Sequence, residues 1–466
     1  MPGENVHASI KSNDASPLVP WGQHIRETVL LGLPLIASQL AQTLLNVTNT
    51  LVLGRLGPEE LAASVIGWQL FFVIWMFGSG FGFAVMPLVA NAIGAKDPRG
   101  GRRFVRMGLW ISLAYALVMM VPLSNARAIF LALGQDEHVS VLAADYLSVL
   151  QWSLIPQLAI IVLRSFLGAL SRPGIVVVAL VLGVGINTFL SIQFVFGGFG
   201  LPAMGMRGAG LSTLIATSCV ALFLIMHIVR HKALREQQIF VRFTRIDMPA
   251  LIEVFRLGWP IGTTVVAEVA LFSAASFMMG LLGPMALAAH GIALQLSGLA
   301  FMIPLGLSSA TTIRVGHAFG RGDGGNLARA VSASLALGLL IGSLSAIVFL
   351  TMPDLLIGFY LDMRAESSAG VIPLAVSFLA VAGLFQIFDG IQALSSGALR
   401  GMKDTRVPMF IALISYWAVG LSSGYALAFH VDWGGAGIWW GLAAGLAAAA
   451  LLMTTRLVLR IRANLA

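Results

Sequence analysis

Three acidic residues stand where acids are costly. Of the 20 Asp and Glu in the 466-residue sequence, only Asp145, Glu268 and Asp389 fall well inside long apolar runs. Glu268 interrupts "TTVVAEVALFSAASFMM", residues 263–279, and Asp389 interrupts "FQIFDGIQALSSGAL", residues 385–399. An ionised carboxylate in such surroundings is expensive unless something offsets its charge. Intramembrane ionisable groups are rare, and they mark ion or proton paths. Two carboxylates near one cavity repel each other, and desolvation adds to the cost. Binding H⁺ or Na⁺ relieves both. A site of this kind holds a coupling cation or a cationic substrate, but poorly both, which is the minimum chemistry of antiport. The plainer alternative for Glu268 and Asp389 is a neutral, hydrogen-bonded carboxyl. Asp145 lies about one turn inside the outer end of its run, where a solvated helix end is the plainer reading.

A second group is neutral. Gln39, Gln42, Asn46 and Asn49 recur at spacings of three or four, so they share one face of a helix. Amides are costly against lipid, and this face should look into a cleft or a helix bundle. Interhelical hydrogen bonding is the plainer role. "NVT" at 46–48 matches a glycosylation acceptor, but it is buried within an apolar run.

The elements that must position these residues follow from composition. The chain is 58% hydrophobic and 10% charged, against about 25% charged in a soluble domain. A helix needs roughly 20 apolar residues to cross a membrane. Twelve crossings are read, at roughly 28–53, 61–92, 104–124, 141–169, 174–197, 208–229, 250–281, 287–317, 327–352, 369–398, 407–430 and 435–458. They leave no room for a soluble catalytic domain. Pro34, Pro87, Pro156, Pro260 and Pro304 fall inside them, so bent or tilted helices are expected. The pI near 10.2 does not signal nucleic-acid binding, because the basic residues are scattered as loop anchors. The single cysteine, Cys219, permits no intrachain disulfide. There is no phosphate-gripping loop and no metal-ligand spacing, so neither enzyme activity nor a cofactor is expected. Any energy source would be an ion gradient.

Placing the N-terminus, alternate loops and the C-terminus on one side gives that side 24 of the 28 Lys and Arg, counting the near-loop Arg164, Arg256 and Arg314. Only Arg55, Arg127, Arg207 and Arg364 fall on the other. The basic side should be cytoplasmic, with both termini there. Residues 1–27 read as a polar tail without a signal peptide. Residues 231–249, which overlap the polar stretch "RHKALREQQIFVRFTRID" at 230–247, read as a cytoplasmic linker that anionic lipid would attract.

The two halves repeat. At an offset of 226 residues, "LGLP" at 31–34 falls on "LGWP" at 257–260, Gly57-Pro58 on Gly283-Pro284, Gly94 and Asp97 on Gly320 and Asp323, and Arg103 on Arg329. Glu268 falls on Gln42. "GAL" at 168–170 falls on 397–399 at an offset of 229. Each half, 28–230 and 250–460, has six spans, so both enter the membrane from the same side and the repeat axis runs along its normal. The fold class is therefore an all-α membrane protein, with twelve transmembrane helices in two pseudo-symmetric six-helix bundles around a central cleft. Rocking one bundle against the other would give alternating access.

The stretches "LPLIASQLAQTLLNVTNTLVLGRLG", "FVFGGFGLPAMGMRGAGLSTLIAT", "GALRGMKDTRVP" and "GGAGIWWGL" resemble the multidrug and toxic compound extrusion (MATE) family, particularly its bacterial NorM-like branch. The likeness runs from about residue 25 to 460. It implies cation-coupled export of cationic, amphipathic drugs and dyes across the bacterial inner membrane. It also implies an essential Glu on helix seven and an Asp on helix ten, which match Glu268 and Asp389. These would be the Na⁺ ligands if Na⁺ is the coupling ion. Gln295 matches a polar position on helix eight, and Asn187 matches one on helix five. Helix one of the family usually carries an Asp where this chain has Asn49. Asn cannot titrate, so the resemblance favours a second-half coupling site. A monomer in the bilayer is expected. The alternatives are a flippase of the wider superfamily moving a lipid-linked saccharide, for which only Arg164 and a few helix-end arginines would serve, and a scaffold or receptor without transport.

Overall fold

A computed structural model describes residues 17–198, 200 and 202–465. Twelve helices are long and apolar enough to cross a membrane: α1 (Trp21–Leu53), α2 (Pro58–Gly94), α3 (Pro98–Ser124), α4 (Glu137–Ala169), α5 (Gly174–Phe196), α6 (Gly205–Arg230), α7 (Met248–Leu281), α8 (Pro284–Arg321), α9 (Gly324–Thr351), α10 (Ile372–Gly401), α11 (Arg406–Phe429) and α12 (Gly434–Leu465). Even α5, with 23 residues, exceeds the roughly 30 Å hydrocarbon core at about 1.5 Å per residue. The longer helices therefore tilt or bend. A 3₁₀ turn at Gln151–Ser153 interrupts α4 just before Pro156, whose ring cannot sit against the carbonyl four residues earlier. The region read as a tail is outside the described residues as far as residue 16. α1 itself begins at Trp21, seven residues before the expected span.

Helix starts carry the repeat. Asp97 accepts from the Gly100 amide at 2.9 Å at the head of α3, and its repeat mate Asp323 accepts from the Asn326 amide at 3.0 Å at the head of α9. Each satisfies one of the free amides of a helix N-terminus. Pro58 and Pro284 open α2 and α8, where a missing N–H costs nothing. Gly283, before Pro284, has φ 110°, which a side chain would oppose.

The halves meet through contacts that are each made twice. A β-carbon on Gly80 (α2) would collide with the backbone of Gly262 (α7), and one on Gly306 (α8) would collide with that of Ile36 (α1). The offset of 226 turns the first pair into the second. Gly94 sits on the His317 carbonyl, and Gly320 sits on that of Asn91, again a pair exchanged by the offset. The pseudo-twofold axis therefore passes between α2 and α8. All these approaches lie in the helix segments nearer the basic end. Toward the other end α2 and α7 flank a mostly apolar cavity of about 300 Å³, lined by Val73, Met76, Val266, Ala270, Ser273 and Phe277.

The largest buried apolar cluster draws only on residues 271–457, and two others draw only on 41–239. α7 is shared. Its early residues Ala250, Val254, Leu257 and Ile261 pack with Ala84, Leu88 and Met107 of the first half. Its later residues Leu271, Ala275 and Met279 belong to the second-half core.

The connector between the halves is docked, not loose. Arg106 on α3 donates to the Val241 and Arg242 carbonyls at 2.8 and 2.9 Å. Trp110 donates to the Phe243 carbonyl at 2.9 Å and stacks on its ring. Leu234 and Ile239 are buried in the first-half core.

Candidate functional site

The site is built from α7, α10 and α11. α7 packs on α11, while α10 packs chiefly on α8, α9 and α12. Glu268, halfway along α7, is half-buried. Asp389 on α10 is 3% exposed, and its Oδ1 has no hydrogen-bond partner among the described residues. The charges of Glu268 and Asp389 are close enough to act on each other. Neither makes an ion pair within 4.0 Å among the described residues.

Two residues join them that the sequence did not single out. Arg400 lies 11 residues beyond Asp389, about three turns along the same face of α10. It is near enough to feel Glu268, yet its hydrogen bond goes to Ser396 Oγ at 3.0 Å. Tyr416 is fully buried and lies within the fields of Glu268, Asp389 and Arg400. Gln392, one turn beyond Asp389, donates to Tyr416 Oη at 2.8 Å. Tyr416 lies in a π-helical stretch of α11, Ile414–Leu421, a distortion that recurs at functional sites. The offset of 229 places Tyr416 on Asn187, and that correspondence was the available signal. With both acids ionised, the cluster of Glu268, Asp389 and Arg400 carries one net negative charge.

Among the described residues the first half holds no such cluster. Asn187 Nδ2 donates to Asn49 Oδ1 at 2.7 Å, and Asn49 Nδ2 donates to Thr213 Oγ1 at 2.9 Å. Ser191 donates to Asn49 Oδ1 at 3.4 Å and lies 2.6 Å from Ser212 Oγ. These groups are all buried, and none can titrate. The amide row of α1 splits among different partners inside the bundle. Gln39 accepts from Arg164 at 2.6 Å, with Arg164 also over the Phe83 ring at 5.5 Å. Gln42 lines a small cavity with Trp75, Gln157 and Thr217. The side chain of Asn46 lies outside what the structure describes. Gln295 is exposed on α8 and joins neither group. Asp145 is exposed and pairs with Arg207 at 2.8 Å. Cys219 is free and exposed.

Comparison with known proteins adds an independent line. A model of the MatE family matches residues 34–192 and 260–426. The two stretches begin 226 residues apart, the offset of the repeat. Over 442 residues the chain is 44% identical to the probable multidrug resistance protein NorM of Agrobacterium fabrum, covering 95% of each chain. It is also 44% identical over 436 residues to that of Rhizobium meliloti, covering 94% of this chain and 93% of the relative. Among solved structures, its fold is similar to the crystal structure of the eukaryotic MATE transporter AtDTX14, with TM-score 0.82 and 20% identity over 95% of this chain and 98% of that one. It is likewise similar to an outward-facing multidrug resistance MATE transporter of the MOP superfamily, with TM-score 0.83 and 21% identity over 96% and 99%.

Proposed function

The chain belongs to the MatE family, and from that premise we propose that it is a secondary multidrug efflux antiporter. It is a multi-pass membrane transporter. In this reading it expels cationic, amphipathic organic compounds in exchange for Na⁺ or H⁺, and Glu268 and Asp389 are the coupling carboxylates. The observation that carries the reading is Asp389: a buried carboxylate with an unpartnered oxygen, in electrostatic reach of a second acid. A lone buried charge is unstable unless something neutralises it. A bound Na⁺, a proton or a monovalent organic cation each supplies the one positive charge that the cluster lacks. Their competition for it makes the exchange electroneutral, one for one.

The paired close approaches of α1 with α8 and of α2 with α7 support rocking of one half on the other. In this reading the neutral network around Asn49 and Asn187 holds the first bundle together, and Gln295, exposed on α8, contacts cargo. The excess of Lys and Arg supports insertion in the bacterial cytoplasmic membrane with both termini inside. The chain acts as a monomer. The test is dye efflux from proteoliposomes with Na⁺ and pH gradients imposed separately. Wild-type protein should respond to at least one gradient, and Glu268→Gln and Asp389→Asn should respond to neither. Normal efflux from either variant sinks the assignment.

A further inference from the structure

At the basic end a cavity of about 530 Å³ opens where α1 and α5 begin and α8 ends. Its charged lining consists of His24, Glu27, Arg172, Arg314, His317 and Arg321. Glu27 is the one acid, and it is already paired with Arg314 at 2.9 Å. Among the described residues the Arg172 side chain bonds only the His231 ring, at 2.9 Å. Arg321 has no hydrogen bond or ion pair among the described residues. The wall therefore carries two arginines without an acidic partner.

His24 adds a third donor. It is 3% exposed, and Arg314 Nη2 lies 2.7 Å from its Nδ1. A guanidinium only donates, so Nδ1 must accept and the ring proton sits on Nε2. His24 Nε2 is buried and makes no hydrogen bond of good geometry among the described residues, with the Asn326 side chain nearby. The start of α5 at Gly174 also faces this cavity, and its N-cap provides no side-chain hydrogen bond. Helix N-termini favour anions. The charged groups left unpaired here are cationic, and organic cations would be repelled.

We propose that this cavity binds the phosphate of an anionic phospholipid headgroup. The position argues for a lipid source, because the cavity lies at the ends of spanning helices. Leu30, Leu31 and Pro34 form part of its wall, and Leu30 and Leu33 are more than half exposed beside it. Basic pockets between spanning helices on the cytoplasmic side suit such headgroups. Arg172 comes from the first half, and Arg314 and Arg321 come from the second. A phosphate between them ties the two halves together at this end. The site is independent of the efflux reading, because it uses none of the same residues.

The test uses the full chain, stripped of lipid and reconstituted into phosphatidylcholine nanodiscs with or without phosphatidylglycerol. Bound lipid is counted by native mass spectrometry, and thermal unfolding is followed in parallel. The expected result is selective retention of phosphatidylglycerol with a raised unfolding midpoint. Arg172→Ala with Arg321→Ala should weaken that binding roughly thirty-fold, at about one kcal/mol per basic side chain. The pair Arg172→Lys with Arg321→Lys should keep most of it. Both arginines are exposed, and an unchanged midpoint without lipid checks that the fold is intact. Binding of inorganic phosphate with no selective retention of phosphatidylglycerol would overturn the lipid source. Equal retention of both lipids, or full phosphatidylglycerol binding by the alanine pair, overturns the proposal.

Discussion

Gly94 and Gly320, mates in the 226-residue repeat, meet where α2 crosses α8, each lying against backbone of the opposite helix. This crossing of the two halves therefore has no room for a side chain at either glycine. Gly320→Leu forces the helices apart and should cost about 1–3 kcal/mol, as overpacking does. Gly94→Leu should cost a similar amount, because the contact is the same one seen from the other side. Gly291→Leu is the control, since nothing lies within 4 Å of that position. Thermal unfolding of the three variants checks the order. A harmless Gly320→Leu would mean that the halves do not touch there.

Asp389→Asn keeps the shape and removes the charge. The protein should insert and unfold at or above the wild-type temperature, because an uncompensated buried charge is gone. Ion-driven dye efflux should fall to the rate of empty liposomes. Glu268→Gln should behave alike.

Arg400 offsets part of the charge of Glu268, and so of the pair of acids as a whole. Arg400→Gln leaves two uncompensated negative charges, so a cation should bind about tenfold tighter and leave more slowly. Efflux should show a lower KM together with a lower maximal rate. An unchanged KM would place Arg400 outside the site.

The network of Asn49, Asn187 and Thr213 is neutral and buried, so breaking it should affect stability more than coupling. Asn187→Ala should cost about 1–3 kcal/mol by leaving buried groups unpaired. The response to an ion gradient should survive. Asn49→Ala should impair efflux less than Asp389→Ala. The reverse order moves coupling to the first half.

Asp247 caps α7 and accepts from Arg103 at 2.8 Å. The Arg103 hydrogen bond holds its carboxyl below the usual range. A depressed carboxyl stabilises the fold above its unfolded value, near 4, and loses that contribution as pH falls through the lower folded value. Asp247→Asn should therefore unfold at a lower temperature than wild type at neutral pH. The gap should close in strong acid.

The twelve spans and their repeat were legible because apolar runs and Gly-Pro punctuation are local signals. The start of α1 was not. His24 and Glu27 read as tail and Thr28 as the first residue of the span, yet Arg314, nearly 300 residues away, bonds all three. The connector read simply as a linker because its partners, Arg106 and Trp110, lie on another helix. Glu268 and Asp389 were legible because a carboxylate in an apolar run is anomalous wherever it falls. Arg400 reads as an ordinary helix-end anchor and Tyr416 as core. Only tertiary proximity gathers them around the acids.

α7 is clamped at its foot to one half of the molecule, through Asp247 and the packing of Val254 and Ile261, while its far turns are embedded in the other half. If the halves swing, this rod cannot ride wholly with either. The strain must be taken up between Ile261 and Leu271, just past Pro260, whose ring already deprives the helix of a hydrogen bond. Glu268 sits on that pliant stretch. A lever motion of the whole protein is thereby delivered as a local twist beneath the carboxylate proposed to couple the ion.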